Sequence, residues 1–136
     1  MYRRGEIYYI TIPQQTGTEI AKDRPGVIVS SDRDNSAYGH VMVAYLSSRC
    51  RYDRLEHVTI RATGRNSTVL CEQIYTVDKS RIREFQGVCS KQEMDRIDAA
   101  ILMALDIDSA GTAQLDRISR LEGEVEAYRR MLGAVT

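Results

Sequence analysis

The sequence predicts a mainly β domain followed by helices: a small, strongly curved antiparallel barrel or sandwich with a helix packed on it. Two observations carry this. Short runs of β-branched and aromatic residues, separated by turn residues, recur through the first 89 positions. From Ser90 the apolar period then changes to that of a helix.

The elements follow in order. "GEIYYITI" (5–12) reads as a strand that stops at Pro13, and "QQTGTEIAKD" (14–23) as a polar loop. "GVIVSS" (26–31) is a continuous apolar run, the pattern of a strand buried on both faces. Pro25 has no N–H for a ladder, so it belongs at that strand's start. "DRDNSAYG" (32–39) reads as a turn or loop, and "HVMVAYL" (40–46) as the next strand. "SSRCRYDRLE" (47–56) is polar, basic and fits neither period. "HVTIR" (57–61) alternates as a strand does. "STVLCEQIYTVD" (67–78) is long enough for a bent strand or two in succession, and "IREFQGVC" (82–89) supplies the last.

Ser90 with Glu93 three residues later fits a capping box. Met94, Ile97, Ile101, Ala104 and Leu105 give one apolar face to a helix over 91–105. "DIDSAG" (106–111) breaks it. Leu115, Ile118, Leu121, Val125, Tyr128 and Leu132 then form a narrow stripe, at coiled-coil spacing from Ile118 onward. This second helix seeks a partner surface. The organisation expected is a barrel domain over 1–107 and a helical extension over 108–136.

The totals exclude several classes. A chain of 136 residues suits one domain with an appendage. Its formal net charge of zero argues against non-specific coating of nucleic acid, which needs a basic excess, but leaves room for a local basic groove. Cys50, Cys71 and Cys89 are far apart, odd in number and without zinc spacing, so reduced thiols in a cytoplasmic protein are expected. No segment has the length of a signal peptide core or a membrane span. His40 and His57 start strands without ligand-spaced neighbours, and metal-protease, P-loop, dinucleotide and nucleophile-elbow motifs are absent. No cofactor or metal is expected.

What remains for chemistry is Arg24 at the entry to one strand, Ser47 and Ser48 at the exit of the next, and Glu19 in the preceding loop. If strands 26–31 and 40–46 pair antiparallel, Arg24 and Ser47 meet at one rim. Hydroxyls at strand ends also commonly satisfy turn backbone groups. Arg49, Arg51, Arg54, Arg61 and Arg65 face only Asp53 and Glu56 within 49–65, with Tyr52 among them. Cations with an interleaved aromatic suit single-stranded RNA, and equally a solvated loop.

"RGEIYYITI", "GTEIAKDRPGVIVSS", "VAYLSS" and "STVLCEQIYTVDKSRI" together resemble the MazF/PemK family of toxin endoribonucleases, from about Arg4 to Ile107. The resemblance implies an SH3-like barrel that forms a homodimer and cuts single-stranded RNA without metal, leaving a 2′,3′-cyclic phosphate and a 5′-hydroxyl. It implies a cognate antitoxin as partner, and DNA binding by the toxin–antitoxin complex. The family's arginine falls on Arg24, its hydroxyl on Ser47 and its loop carboxylate on Glu19. Thr18, Ser48, Arg49, Arg51, Tyr52, Arg54, Glu72 and Gln73 are the expected RNA contacts, the three arginines and Tyr52 for the charge and stacking described above. Ile20 departs from the family's glutamine. Thr18 stands where the PemK branch has histidine, and Leu70 and Glu72 where that branch has arginine and aspartate, so the arginine-plus-hydroxyl set is the better match. Two other readings stay open: a non-catalytic SH3-like toxin or module gripping a protein such as a topoisomerase, and a structural dimer joined through 112–132.

Overall fold

A computed structural model describes residues 1–12, 23–49 and 54–135, with side chains at 109–116 and 134–135 outside that description. Six strands form one antiparallel sheet in the order β4-β5-β3-β2-β1-β6. They are β1 (Glu6–Thr11), β2 (Asp23–Ile28), β3 (His40–Ser47), β4 (His57–Ile60), β5 (Ser67–Asp78) and β6 (Ile82–Val88). Among the described residues three α-helices accompany them: α1 (Asp32–Ala37), α2 (Lys91–Ala104) and α3 (Ser109–Val135). The chain divides into two compact units, Met1–Leu105 and Asp106–Thr136.

Both faces of the sheet are apolar at its centre. One cluster joins Ile7, Val27, Ala44, Leu46 and Val69 to Met94, Ile97 and Ala100 of α2. The other gathers Ile10, Ile28, Val41, Val43, Tyr45, Val77 and Ile82. Alternate β3 residues thus feed opposite clusters, which explains its unbroken apolar run. Burying each large aliphatic side chain contributes about 1.5–3 kcal/mol. The α2 helix docks through Met94, Ile97 and Ala100, with Ile101 packed beside them. Leu105, expected on this face, is instead the exposed C-cap residue.

The capping box is present: the Ser90 hydroxyl accepts from the Glu93 N–H, and the Glu93 carboxylate accepts from the Ser90 N–H. That carboxylate also accepts from the Arg61 N–H at 2.7 Å, tying the helix start to the turn after β4. Arg4 pairs with Asp98 of α2.

Two boundaries differ from expectation. The strand expected over 26–31 starts earlier and ends at Ile28. Pro25 lies inside β2 opposite Tyr9 of β1, but pairing with β3 begins only at Gly26, so the proline sits where one flank is unpaired. The turn expected over 32–39 contains the short helix α1. Ser31 caps it, accepting from the Asp34 N–H, and Asp32 and Asp34 complement its N-terminal dipole. Its one buried residue is Asn35, too little for an apolar period. The Asn35 side-chain amide donates to the Ser30 carbonyl at 3.1 Å, and its backbone carbonyl accepts from Lys79 Nζ at 2.5 Å.

β5 is bent as its length predicts. Its register against β3 shifts between Ala44, which faces Ile74, and Leu46, which faces Val69. The bulge lets the first part of β5 also pair with β4, where Ser67 faces Ile60. The sheet curls so far that Gly87 of β6 meets the turn after β4, at the other end of the strand order.

Candidate active site at the β2–β3 rim

β2 and β3 are antiparallel neighbours, with Gly26 opposite Tyr45. Two residues further along each strand stand Arg24 and Ser47. Both stand just past the last paired position, on the same strand faces as Gly26 and Tyr45 by alternation. Both line one cavity of about 320 Å³, with Tyr9, Pro25, Leu46, Ser48, Arg65 and Ser67. The meeting expected from strand pairing alone is therefore observed.

Each side chain is positioned by its strand. Arg24 faces Ile10 in the β1 register. Its guanidinium lies over the Tyr45 ring, 5.2 Å from the centroid, and Tyr45 packs against Tyr75 at the same centroid distance. An aromatic floor holds a cation in place without consuming the fork of N–H donors. Among the described residues no carboxylate pairs with Arg24. Ser47 faces Thr68 across β3 and β5. Its oxygen accepts from the Arg49 N–H at 3.2 Å, the local turn role common for such hydroxyls. Accepting uses a lone pair and leaves the O–H proton as a donor.

The rim can therefore present two cations and several hydroxyls to an anion. A planar guanidinium donates two parallel hydrogen bonds to a phosphate, and nearby hydroxyls supply short-range orientation. Among the described residues no group of three His, Cys, Asp or Glu side chains is placed to hold a metal ion.

The other expected contacts are distributed as follows. Ser48 lines the cavity beside Ser47. Arg49 follows directly and is exposed, and so is Arg54 before β4. Glu72 lies on β5 away from the cavity lining and bonds His57 Nε2 at 2.9 Å, with the His57 side chain buried. Gln73 follows it on β5, half-buried. Thr18, Glu19, Arg51 and Tyr52 lie outside the described residues, as does Cys50. Of the two histidines, His40 stacks on Tyr38 with ring centroids 5.2 Å apart.

Tyr9, Arg65 and Ser67 join the site without having been expected in it. Arg65 belonged to the basic stretch, but only the strand order brings its turn beside β2 and β3. Tyr9 would have followed from knowing that β1 flanks β2, since it faces Pro25 in register.

Burial pushes the thiols of Cys71 and Cys89 up to about 12, helped by neighbouring carboxylates. Both are free and buried, and neither lines the rim cavity. No helix among the described residues is long and apolar enough to cross a membrane.

Comparison with known proteins agrees with this architecture. A mycobacterial endoribonuclease in complex with its cognate antitoxin is 21% identical, with a TM-score of 0.68 over 79% of this chain and 98% of that one. MazF in a MazE–MazF complex from Deinococcus radiodurans is 20% identical, with a TM-score of 0.69 over 79% and 97%. The Mycobacterium tuberculosis toxin MazF-mt6 is 19% identical, with a TM-score of 0.64 over 76% and 98%. At these identities the likeness establishes a shared fold. The family profile described as "PemK-like, MazF-like toxin of type II toxin-antitoxin system" matches residues 3–105, the whole of the sheet and α2. The chain belongs to the PemK-like, MazF-like toxins of type II toxin–antitoxin systems.

Proposed function

We propose that this chain is a cytoplasmic endoribonuclease that cleaves single-stranded RNA at short sequences, without a metal ion, and that a cognate antitoxin restrains it. The observation that carries this reading is the shared cavity of Arg24 and Ser47 in a chain of this family. Homodimer formation belongs to the same reading, by family resemblance.

The chemistry needs little from the protein. RNA carries its own nucleophile, the 2′-hydroxyl. Its oxygen attacks the adjacent phosphorus while the bond from phosphorus to the 5′-oxygen breaks. The products are a 2′,3′-cyclic phosphate and a 5′-hydroxyl. The 2′-hydroxyl proton goes to a base, and the leaving oxygen takes a proton from water. Alignment and charge stabilisation supply most of the rate. Arg24 holds the non-bridging oxygens as negative charge builds on them. An always-charged guanidinium is a poor proton donor, so its role is electrostatic. Ser47 orients the 2′-hydroxyl or the scissile phosphate, with Arg65 adding charge at the same rim. Glu19 is the candidate base or, in the alternative, a residue that orders its loop. A carboxylate with an ordinary pKa of about 4.3 is weak in that role unless shifted. Thr18, Ser48, Arg49, Arg51, Tyr52, Arg54, Glu72 and Gln73 are the proposed contacts to flanking nucleotides.

The test is incubation of the purified protein with RNA in excess chelator, with the ends of the fragments analysed. Cleavage that leaves 5′-hydroxyl ends and disappears in Arg24→Ala is expected. Intact RNA with the wild-type protein, or undiminished cleavage by a folded Arg24→Ala variant, overturns the reading.

A further inference from the structure

α3 runs from Ser109 to Val135. Its Ile118, Leu121, Val125, Tyr128 and Leu132 are 44–69% exposed. The spacing of these five is 3, 4, 3, 4, the a and d positions of two heptads. We propose that α3 zips to α3 of a second copy of this chain as a parallel, in-register, two-stranded coiled coil.

Three features select this occupant over another protein. Three of the five core positions follow the rule for two strands, β-branched Ile118 and Val125 at a with Leu121 at d, while Tyr128 at d and Leu132 at a depart from it. The flanking charges are self-complementary. In a parallel pair each g position faces the e position five residues later in the other helix. Arg117 then faces Glu122 of the second copy, and Glu124 faces its Arg129. Two-fold symmetry doubles this to four opposite-charge pairs. A fully overlapped antiparallel pair would instead set Glu122 against Glu122 and Glu124 against Glu124. Finally, the weak points face outward. Gly123 takes the f position, with open space around it, and the Glu126–Arg130 ion pair occupies the outer b and f positions.

Two heptads make a short zipper, so the association is expected to be weak alone and to act alongside other contacts between copies. This inference does not depend on the catalytic reading. It concerns a segment beyond residues 3–105, which the family profile covers.

Cysteine cross-linking in the full chain tests it. Ile118→Cys and Leu132→Cys each place a thiol at an a position, where a parallel in-register pair brings two copies of one residue together. Under mild oxidation both variants are expected to form disulfide-linked dimers rapidly. Ser119→Cys, on the outer face, and the wild-type chain are not. A charge test runs beside it. Reversing Glu122 and Glu124 to Arg makes all four pairs repulsive and should slow cross-linking of Ile118→Cys at least about tenfold. Mixing that variant with one carrying Arg117→Glu and Arg129→Glu, also with Ile118→Cys, should restore it as a mixed dimer. Failure of both a-position cysteines to cross-link overturns the proposal. So does an antiparallel result, in which Ile118→Cys links to Tyr128→Cys but not to itself. Charge reversal without effect overturns the assigned pairing.

Discussion

Gly87 and Ala62 touch backbone to backbone: a Cβ placed on Gly87 would lie 2.3 Å from the Ala62 carbonyl oxygen and 3.1 Å from its carbon. Gly87 is in β6, and Ala62 follows β4, so the contact joins the two ends of the six-strand order. A side chain here has to push backbone rather than a flexible neighbour. Gly87→Ala is therefore expected to destabilise the fold by about 1–3 kcal/mol, as overpacking does. A urea titration measures this, and an unchanged midpoint would mean that the sheet tolerates opening at this seam.

At the rim, Arg24→Lys separates charge from shape. Lysine keeps the positive charge but offers no planar fork to a phosphate and stacks less well on Tyr45. RNA cleavage is expected to fall at least about 100-fold, most of it in kcat, with circular dichroism unchanged. Ser47→Thr should retain activity, whereas Ser47→Ala should lose it. Equal activity in Arg24→Lys would reduce the arginine's role to that of a point charge.

Glu93 supplies an acid-sensitive joint. Burial works against its charge, but hydrogen bonds from the Ser90 and Arg61 N–H groups and the Ser90 side chain outweigh it and hold the pKa below the ordinary 4.5. A depressed carboxylate stabilises the fold above the unfolded-state pKa, and that stability is lost as pH falls. Glu93→Ala should cost about 1–2 kcal/mol near neutrality. The stability difference between wild type and Glu93→Gln should be largest above pH 4.5 and shrink below it. Parallel acid-denaturation curves would count against the joint.

The buried thiols act at the other end of the pH scale. Cys71 and Cys89 are raised from 9.0 to about 12, first by burial and then by nearby carboxylates. A raised acid favours the folded state below the unfolded pKa, so stability should hold up to about pH 9 and fall as pH rises toward about 12. In a native thiol titration at pH 8 these two should react slowly, because so little thiolate is present. In denaturant all three cysteines should react at once. Fast native reaction of more than one thiol would contradict their burial.

Much of this was legible in the chain because the relevant signals are local. The capping box at Ser90 and Glu93 needs four residues, and the strands declare themselves by composition. Arg24 and Ser47 could be joined in advance because antiparallel neighbours force the start of one strand beside the end of the next. Arg65 and Tyr9 were harder to place: their presence depends on strand order, which is set by packing across the whole sheet. α1 was hidden for a different reason. A six-residue helix that buries only Asn35 has no apolar period to read, and its one signal is the Ser31 cap followed by acids. Leu105 fitted the helical period but falls where the helix stops.

The stacking of Arg24 on Tyr45 has an optical consequence. The chain has no tryptophan, one phenylalanine and eight tyrosines, so tyrosine dominates its ultraviolet emission. Tyr45 lies beneath the arginine and Tyr9 lines the adjoining cavity. A nucleotide that draws the guanidinium away from the ring alters the surroundings of a native fluorophore, so occupancy of the rim can be followed in the unlabelled molecule.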